Sequence, residues 1–562
     1  MIKRLWRVIP DGFRRNTIYV IVTIFVRALL NLIGIATLLP VLLLIVNNGD
    51  ISSSSYLDKV YNLLGCNSYS EFVVVVCVAV VLIIAVKNIV SLVLYRCERD
   101  YIFGLYKYLS ERLYRVYFER GYGFIKQSNS ATLTRNVNAV SMMFVAGVLK
   151  PIAAIISEGL LLLLIAVAFF IYSPAAALIV VVVFVPMVAL FYLFMRRRLN
   201  EIGECENGAQ RIKNRIVAET FRGYVDVKMA DAFDQMLRRF CASMDEIVSL
   251  RKRHSTYSML PQIFTEMGLI VGLVTLVLLS RDSSGDDIAL LFGVFAVAAV
   301  RLVPSVRSMM SSWSSIRFNS YTIDTLCDME ENNGAYVESD SSLNFSDALE
   351  LRDVSFKFDD SEKPTLQHLS LRVNKGECLG IRGASGVGKS TLFNLISGIY
   401  CPTDGGIYVD GVQLTNANIR AWQKQIGYVS QSVFIADMTL AENIALGDVD
   451  NIDYNRVNEV IEIANLKQFV DSLPEGLNTR IGEQGSKISG GQRQRIGIAR
   501  ALYKSVSLLL FDEATSSLDS STEESINNAI KGLSMTDKTL TIVVIAHRDS
   551  SLEYCNRIIT LE

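Results

Sequence analysis

The chain has 562 residues, 51% of them hydrophobic, with 10 prolines and 35 glycines, and a mean hydropathy of +0.33. Length calls for about three or four domains, and the composition excludes disordered and collagen-like classes while pointing to membrane-embedded material. Lys and Arg number 55 against 56 Asp and Glu, so no basic excess argues for a nucleic-acid partner.

The first ten residues carry charges but no apolar core ahead of a small-residue cleavage site, so no cleaved signal peptide is expected. Six apolar runs follow, at 17–46, 72–94, 152–172, 174–194, 263–279 and 288–303. They meet or approach the roughly 20 residues needed to cross a ~30 Å hydrocarbon layer. The third and fourth are separated only by Ser173-Pro174, a tight hairpin because Pro disrupts a continuing helix.

Basic residues set the orientation. Lys3, Arg4, Arg7, Arg14 and Arg15 precede the first run, whereas Lys59 faces Asp50 and Asp58 after it. Residues 95–150 hold nine basic and four acidic side chains, residues 195–261 thirteen and nine, and residues 280–287 one and three. The alternation places both termini in the cytosol. The two long inner connections lack loop punctuation and read as helices prolonged beyond the membrane. Each breaks near its middle, at Gly121-Tyr122-Gly123-Phe124 and Phe221-Arg222-Gly223-Tyr224.

After residue 320 short Val/Ile/Leu-rich strands alternate with helical stretches, the pattern of a parallel α/β sheet. The expected division is 1–327 for the membrane region, 328–347 for a polar linker and 348–562 for the α/β region. The nine cysteines, Cys66, Cys77, Cys97, Cys205, Cys241, Cys327, Cys378, Cys401 and Cys555, contain no CxxC pair and read as reduced thiols. Of the three histidines, His254 reads as part of a solvated basic face, His368 as part of a polar connection, and His547 ends the strand 541–546. They build no metal cluster.

Gly383, Ala384, Ser385, Gly386, Val387, Gly388, Lys389 and Ser390 fit GxxxxGK[ST], between a strand at 378–381 and a helical run at 391–399. The glycines let backbone N–H groups close around phosphate oxygens, Lys389 neutralises the outer phosphates, and the Ser390 hydroxyl suits Mg²⁺. A buried strand at 508–511 ends in Asp512 and Glu513. In a phosphate-loop fold that Asp supports Mg²⁺ and the neighbouring Glu polarises the attacking water. Ile488-Ser489-Gly490-Gly491-Gln492 opens a strongly basic helix start.

In this order and spacing, these motifs resemble the nucleotide-binding domain of an ATP-binding cassette (ABC) transporter. With six preceding runs, the whole chain resembles an ABC exporter half-transporter of the bacterial lipid and drug flippase type. The implied fold is an all-α membrane domain of six helices fused to an α/β P-loop cassette. The resemblance implies that Phe358 stacks on adenine, that Thr391 joins residues 383–390 in holding ATP, and that Gln431 senses Mg²⁺. It further implies that Ser489, Gly490, Gly491 and Gln492 bind ATP across a dimer, that Ser517, Leu518 and Asp519 form the D-loop, and that His547 touches the γ-phosphate. Gly482-Glu483-Gln484-Gly485 resembles the cross-talk loop. Two departures are Phe358 for the commoner Tyr and Ile488 for the usual Leu. The cofactors implied are ATP and Mg²⁺. The partner implied is a second copy of the chain, with a sister chain as the alternative.

Ionisable residues inside the runs, Arg27, Lys87, Glu158, Glu266 and Arg301, are costly in lipid and face protein or water. Lys87 and Arg301, with Arg307 nearby and Glu266, are candidates to line a cavity that holds an anionic head group. The spacing Arg301-Leu-Val-Pro304-Ser-Val-Arg307 resembles lipid-linked oligosaccharide flippases more than peptide exporters. A phospholipid or lipid A flippase, or a peptide or drug exporter, are the other readings. No N-terminal peptidase domain is expected, and Glu562 falls earlier than family cassettes usually end. The expected location is the inner (plasma) membrane, multi-pass, with the cassette cytoplasmic.

Overall fold

In lipid a chain satisfies all its backbone N–H and C=O groups within one segment only as a helix, and among the described residues each of the six apolar runs falls on one. These helices are Asp11–Ala36, Tyr69–Glu119, Lys150–Tyr172, Pro174–Arg222, Phe233–Leu279 and Gly285–Phe318. The computed structural model describes residues 2–37, 69–172, 174–279, 285–331, 343–358, 361–482, 487–513, 523–524, 526–528, 530–532, 539–546 and 551–562. The end of the first run, 38–46, therefore lies outside the described residues. So do the D-loop residues Ser517, Leu518 and Asp519, His547, and residues 483–485 of the cross-talk segment. The chain divides into two units, Met1–Gly334 and Ala335–Glu562.

In the first unit, described stretches at 11–34, 71–119, 130–167 and 233–275 are long and apolar enough to cross a membrane. The Tyr69–Glu119 helix has 51 residues. At 1.5 Å per residue that is about 75 Å, more than twice a ~30 Å hydrocarbon layer. Along its membrane half Val78, Val81, Leu82, Val86 and Ile89 are exposed, a face that acyl chains rather than water would cover. Further along, Leu105, Leu109 and Leu113 repeat every four residues and are fully buried against Val140, Phe144 and Val148.

Both expected breaks are present. Gly121 sits at φ +82°, where glycine is favoured, between the Tyr69–Glu119 and Gly121–Gln127 helices. Gly223 separates Pro174–Arg222 from Tyr224–Met229. The segment 130–172 carries two π-helical turns, Asn136–Val140 and Val145–Leu149, before Lys150–Tyr172. The helix Tyr321–Glu331 extends four residues into the segment expected to be linker. Its buried Leu326, Cys327 and Met329 pack with Leu5 and Val8, and this burial keeps it helical despite its polar composition.

The second unit holds two sheets. An antiparallel one has order β2-β1-β4-β5, built from β1 (Ala348–Phe356), β2 (Leu366–Asn374), β4 (Asp404–Val409) and β5 (Val412–Gln413). A parallel one has order β6-β7-β8-β3-β9, built from β3 (Cys378–Gly383), β6 (Ile426–Val429), β7 (Leu508–Asp512), β8 (Thr541–Ile545) and β9 (Arg557–Leu561). β7 and β8 are buried along their whole length, as continuous apolar runs are when helices cover both faces of a parallel sheet.

Alternation divides the core. Leu508, Leu510, Val543 and Ile545 pack with Leu392, Phe393 and Ile396, while Leu509, Phe511, Ile542 and Val544 pack with Ile496, Ala499 and Leu502. The two helices that carry motifs therefore lie on opposite faces of one sheet. Cys378 and Cys555 meet at 3.6 Å, Sγ to Sγ, too far for a covalent bond, consistent with the expected thiols.

Candidate functional site

In an open parallel sheet ligands sit beyond the carboxyl ends of the strands. β3 and β7 flank β8, so the loop after Gly383 and the acids Asp512 and Glu513 emerge at the same edge. Within that loop Gly386 and Gly388 take φ +85° and +105°. A Cβ on Gly388 would stand 3.0 Å from Leu366 Cδ2 and 3.2 Å from the Thr365 carbonyl. A Cβ on Gly383 would meet the Leu561 carbonyl at 2.7 Å. Glycine is thus required by backbone conformation at Gly386 and Gly388 and by close approach at Gly383.

The helix after the loop is Lys389–Ile396, two residues earlier at its start than the sequence pattern and three shorter at its end. It stops because Gly398 turns left-handed at φ +67° against the Ile419 side chain. Lys389 is buried, and its Nζ donates to the Gly383 and Ala384 carbonyls at 2.7 and 3.2 Å. The ammonium is held over the loop where phosphate oxygens would enter.

Ser390 Oγ donates to Asp512 Oδ1 at 3.3 Å, and Tyr428 Oη donates to Asp512 Oδ2 at 3.3 Å. Burial pushes the Asp512 carboxyl above its usual range, against the pull of these hydrogen bonds and of Lys389. A buried carboxylate beside a hydroxyl is a hard-oxygen donor pair that suits Mg²⁺. Gln431 Nε2 donates to Glu513 Oε2 at 2.8 Å. Glu513 sits at φ +50° with its N–H on the Ile545 carbonyl at 3.0 Å.

Ser489 caps the helix Gly490–Tyr503. Its Oγ accepts from the Gln492 N–H at 3.2 Å, while Gln492 Oε1 accepts from the Ser489 N–H at 2.8 Å. This capping box leaves the first helical N–H groups, those of Gly490 and Gly491, without intrahelical acceptors. The polar groups of Ser489 and Gln492 bond to each other rather than to the loop at 383–391. Phe358 is half-buried at the end of β1, edge-to-face with Phe356 and Tyr400.

Sequence reasoning did not single out Tyr428, Asn443 or Arg500. The pairing of Tyr428 with Leu510 across β6 and β7 aims its ring toward Asp512. Arg500 donates to the Asn443 and Phe434 carbonyls, each at 2.8 Å, tying the Gly490–Tyr503 helix to the segment after Gln431. Residue type alone carried no signal for either contact, because both partners lie far off in sequence.

The candidate cavity residues are dispersed among the described contacts. Lys87 packs its chain against Gly34, where a Cβ would stand 3.1 Å from Lys87 Cδ. Glu266 is exposed and accepts from Gln262 Nε2 at 2.9 Å, one helical turn away. Arg307 is exposed, and the Arg301 side chain lies outside the described residues. Two other intramembrane charges do find partners across helices: Arg27 pairs with Glu98 at 2.7 Å, and Glu158 accepts from Ser305 Oγ at 2.6 Å. His254 departs from expectation. It is half-buried, its ring 4.0 Å from that of Phe318, because its helix face meets the end of Gly285–Phe318 rather than water. His368 lies within β2, not in a connection, at φ +49° with Nδ1 2.9 Å from Asp353 Oδ1.

Comparison with known proteins bears on the domain and the fold. The ABC transporter family model matches residues 366–516. The chain is 31% identical over 386 residues to "ABC transporter B family member 29, chloroplastic" of Arabidopsis thaliana, covering 67% of this chain and 60% of that protein. It is 31% identical over 389 residues to the "ATP-dependent lipid A-core flippase" of Ralstonia nicotianae, covering 67% and 64%. The match thus spans less than two thirds of these relatives' own length. A solved structure of a bacterial Atm1-family ABC exporter with ATP bound superposes with a TM-score of 0.80 at 20% identity, covering 98% of this chain and 94% of that one. Residues 366–516 thus form an ABC transporter domain, and the chain as a whole is a multi-pass membrane protein with the fold of an ABC exporter half-transporter.

Proposed function

We propose that two copies of this chain form an exporter that hydrolyses ATP to move an amphiphilic lipid with an anionic head group across the inner membrane, its cassettes in the cytoplasm. One arrangement carries the reading: residues 383–391, Asp512, Glu513 and Gln431 converge at one sheet edge, in a chain whose helices expose an apolar belt. The self-closed capping box at Ser489 supports a second copy, since the Gly490 and Gly491 N–H groups have no acceptor within their own helix and suit the phosphates of a partner's nucleotide.

In this reading Lys389 exchanges the Gly383 and Ala384 carbonyls for phosphate oxygens. Glu513 accepts the proton of the attacking water, and Gln431 holds that carboxylate in place. Ser390 and Asp512 would hold Mg²⁺, which neutralises charge on the transferring phosphoryl group when bound. His547 and the D-loop, Ser517, Leu518 and Asp519, would complete the site.

The likeness to lipid A-core flippases favours a lipid A-type substrate. The spacing from Arg301 to Arg307 favours a lipid-linked oligosaccharide as the second reading. Purified protein in vesicles carrying each lipid distinguishes them. ATP-dependent appearance of one head group in the opposite leaflet, together with mass spectrometry of the co-purified lipid, identifies the substrate. Neutralising Lys87, Arg301 and Arg307 together should lower lipid-stimulated but not basal ATPase. Full ATPase activity from a strictly monomeric protein would overturn the proposal.

A further inference from the structure

We infer that Tyr400 is a positioning residue for the adenine base: it sets the plane of the Phe358 ring. The inference rests on the reading of Phe358 as the base-stacking residue. Phe358 carries no hydroxyl, so a hydrogen bond from its own ring cannot orient it; packing must. Phe356 and Tyr400, both buried, stack on one another with centroids 5.0 Å apart at 21°. Phe358 stands edge-on to both, at 4.9 Å and 86° from Phe356 and at 5.6 Å and 88° from Tyr400. T-shaped pairs at these separations are favourable arrangements of aromatic quadrupoles, and two such contacts define one ring orientation.

Tyr400 also connects this ring to the phosphate loop. Its N–H bonds to the Asn394 carbonyl at 3.0 Å, in the helix that opens with Lys389. The segment after it is pinned to β1 by the Thr403 N–H on the Ser355 carbonyl at 2.8 Å and by the Lys357 N–H on Thr403 Oγ1 at 3.1 Å. The Thr365 N–H bonds to the Phe356 carbonyl at 2.8 Å, and the Thr365 carbonyl lies 3.2 Å from where a Cβ of Gly388 would stand. The aromatic trio therefore borders the phosphate loop, and Tyr400 ties base and phosphate subsites into one rigid piece.

The test compares Tyr400→Met, Tyr400→Leu, Tyr400→Phe and Phe358→Ala in the full chain, reconstituted in lipid. Binding of ATP, GTP and inorganic tripolyphosphate is measured by competition, with KM and kcat for ATP. Loss of one aromatic contact is worth about three- to tenfold in affinity. Tyr400→Met and Tyr400→Leu should raise Kd and KM for ATP by that factor and narrow the preference for ATP over GTP. They should leave tripolyphosphate binding and kcat at saturating ATP unchanged, and Tyr400→Phe should behave as the parent. Equal weakening of tripolyphosphate and ATP would mean a general collapse of the loop and would overturn the inference. Unchanged ATP affinity in both variants, with Phe358→Ala weakened, overturns it alone. If Phe358→Ala also binds ATP normally, the reading of Phe358 itself fails.

Discussion

Gln431 donates its side-chain amide to Glu513 at 2.8 Å, so a residue two positions past strand β6 holds the carboxylate that follows strand β7. Glu513 adopts φ +50°, an uncommon conformation for a non-glycine residue, and the hydrogen bond helps fix the side chain that follows from it. If Glu513 is the general base, Glu513→Gln should lower the ATPase rate by at least about 100-fold while nucleotide still binds. Rate and binding measured on the same preparation check this. An undiminished rate sinks the assignment.

Tyr428 reaches the neighbouring acid, Asp512, which is buried. Its hydroxyl meets one oxygen of Asp512 while Ser390 meets the other. A hydrogen bond to a charged carboxylate is worth about 1.5–3 kcal/mol, so Tyr428→Phe should raise the Mg²⁺ concentration for half-maximal ATPase by about tenfold or more, with kcat little changed. A Mg²⁺ titration at saturating ATP reads this directly.

The Arg27–Glu98 pair joins two membrane helices, with side chains 20% and 7% exposed. Removing one partner from such a site leaves an uncompensated charge, at a cost of about 3–5 kcal/mol, whereas replacing both with apolar groups is often neutral. Arg27→Leu should therefore lower the thermal unfolding midpoint sharply, and the Arg27→Leu/Glu98→Leu double variant should recover most of the loss. Equal midpoints for the two variants would show that the pair is not coupled.

Asp410 anchors the start of β1. Its carboxylate accepts from the backbone N–H groups of Ser346, Asp347 and Ala348 at 2.6, 2.8 and 2.9 Å. Burial raises its pKa, but the hydrogen bonds from Ser346, Asp347 and Ala348 outweigh that and hold the carboxyl below its usual range. A folded-state value below the unfolded one means that this stabilisation is present above about pH 4 and fades as pH falls through the folded value. Chemical unfolding of the parent and Asp410→Asn at pH 7 and at pH 3 should show the variant less stable at pH 7, with the gap closing on acidification.

Much of the architecture was legible in the chain because its signals are local. Hydropathy marked six runs, each on a helix among the described residues, and glycine marked the breaks at Gly121 and Gly223. The strand–loop–helix around Lys389 and the apolar strand ending at Asp512 were equally direct. What escaped was side-chain partnership across sequence distance. Arg27 with Glu98, Tyr428 with Asp512 and Arg500 with Asn443 each join residues whose meeting depends on how helices pack and strands order. The helix Tyr321–Glu331 escaped for the same reason, since its polar composition reads as linker until its apolar edge is packed.

The order of residues along the chain was sufficient to establish a membrane-helical region followed by a phosphate-binding cassette, because hydrophobic length and glycine conformation act within a single segment. The tertiary structure alone decided which hydroxyls share Asp512, which intramembrane charges pair, and which rings brace Phe358, because those contacts exist only after the β6-β7-β8-β3-β9 order and the helix packing bring distant segments within bonding distance.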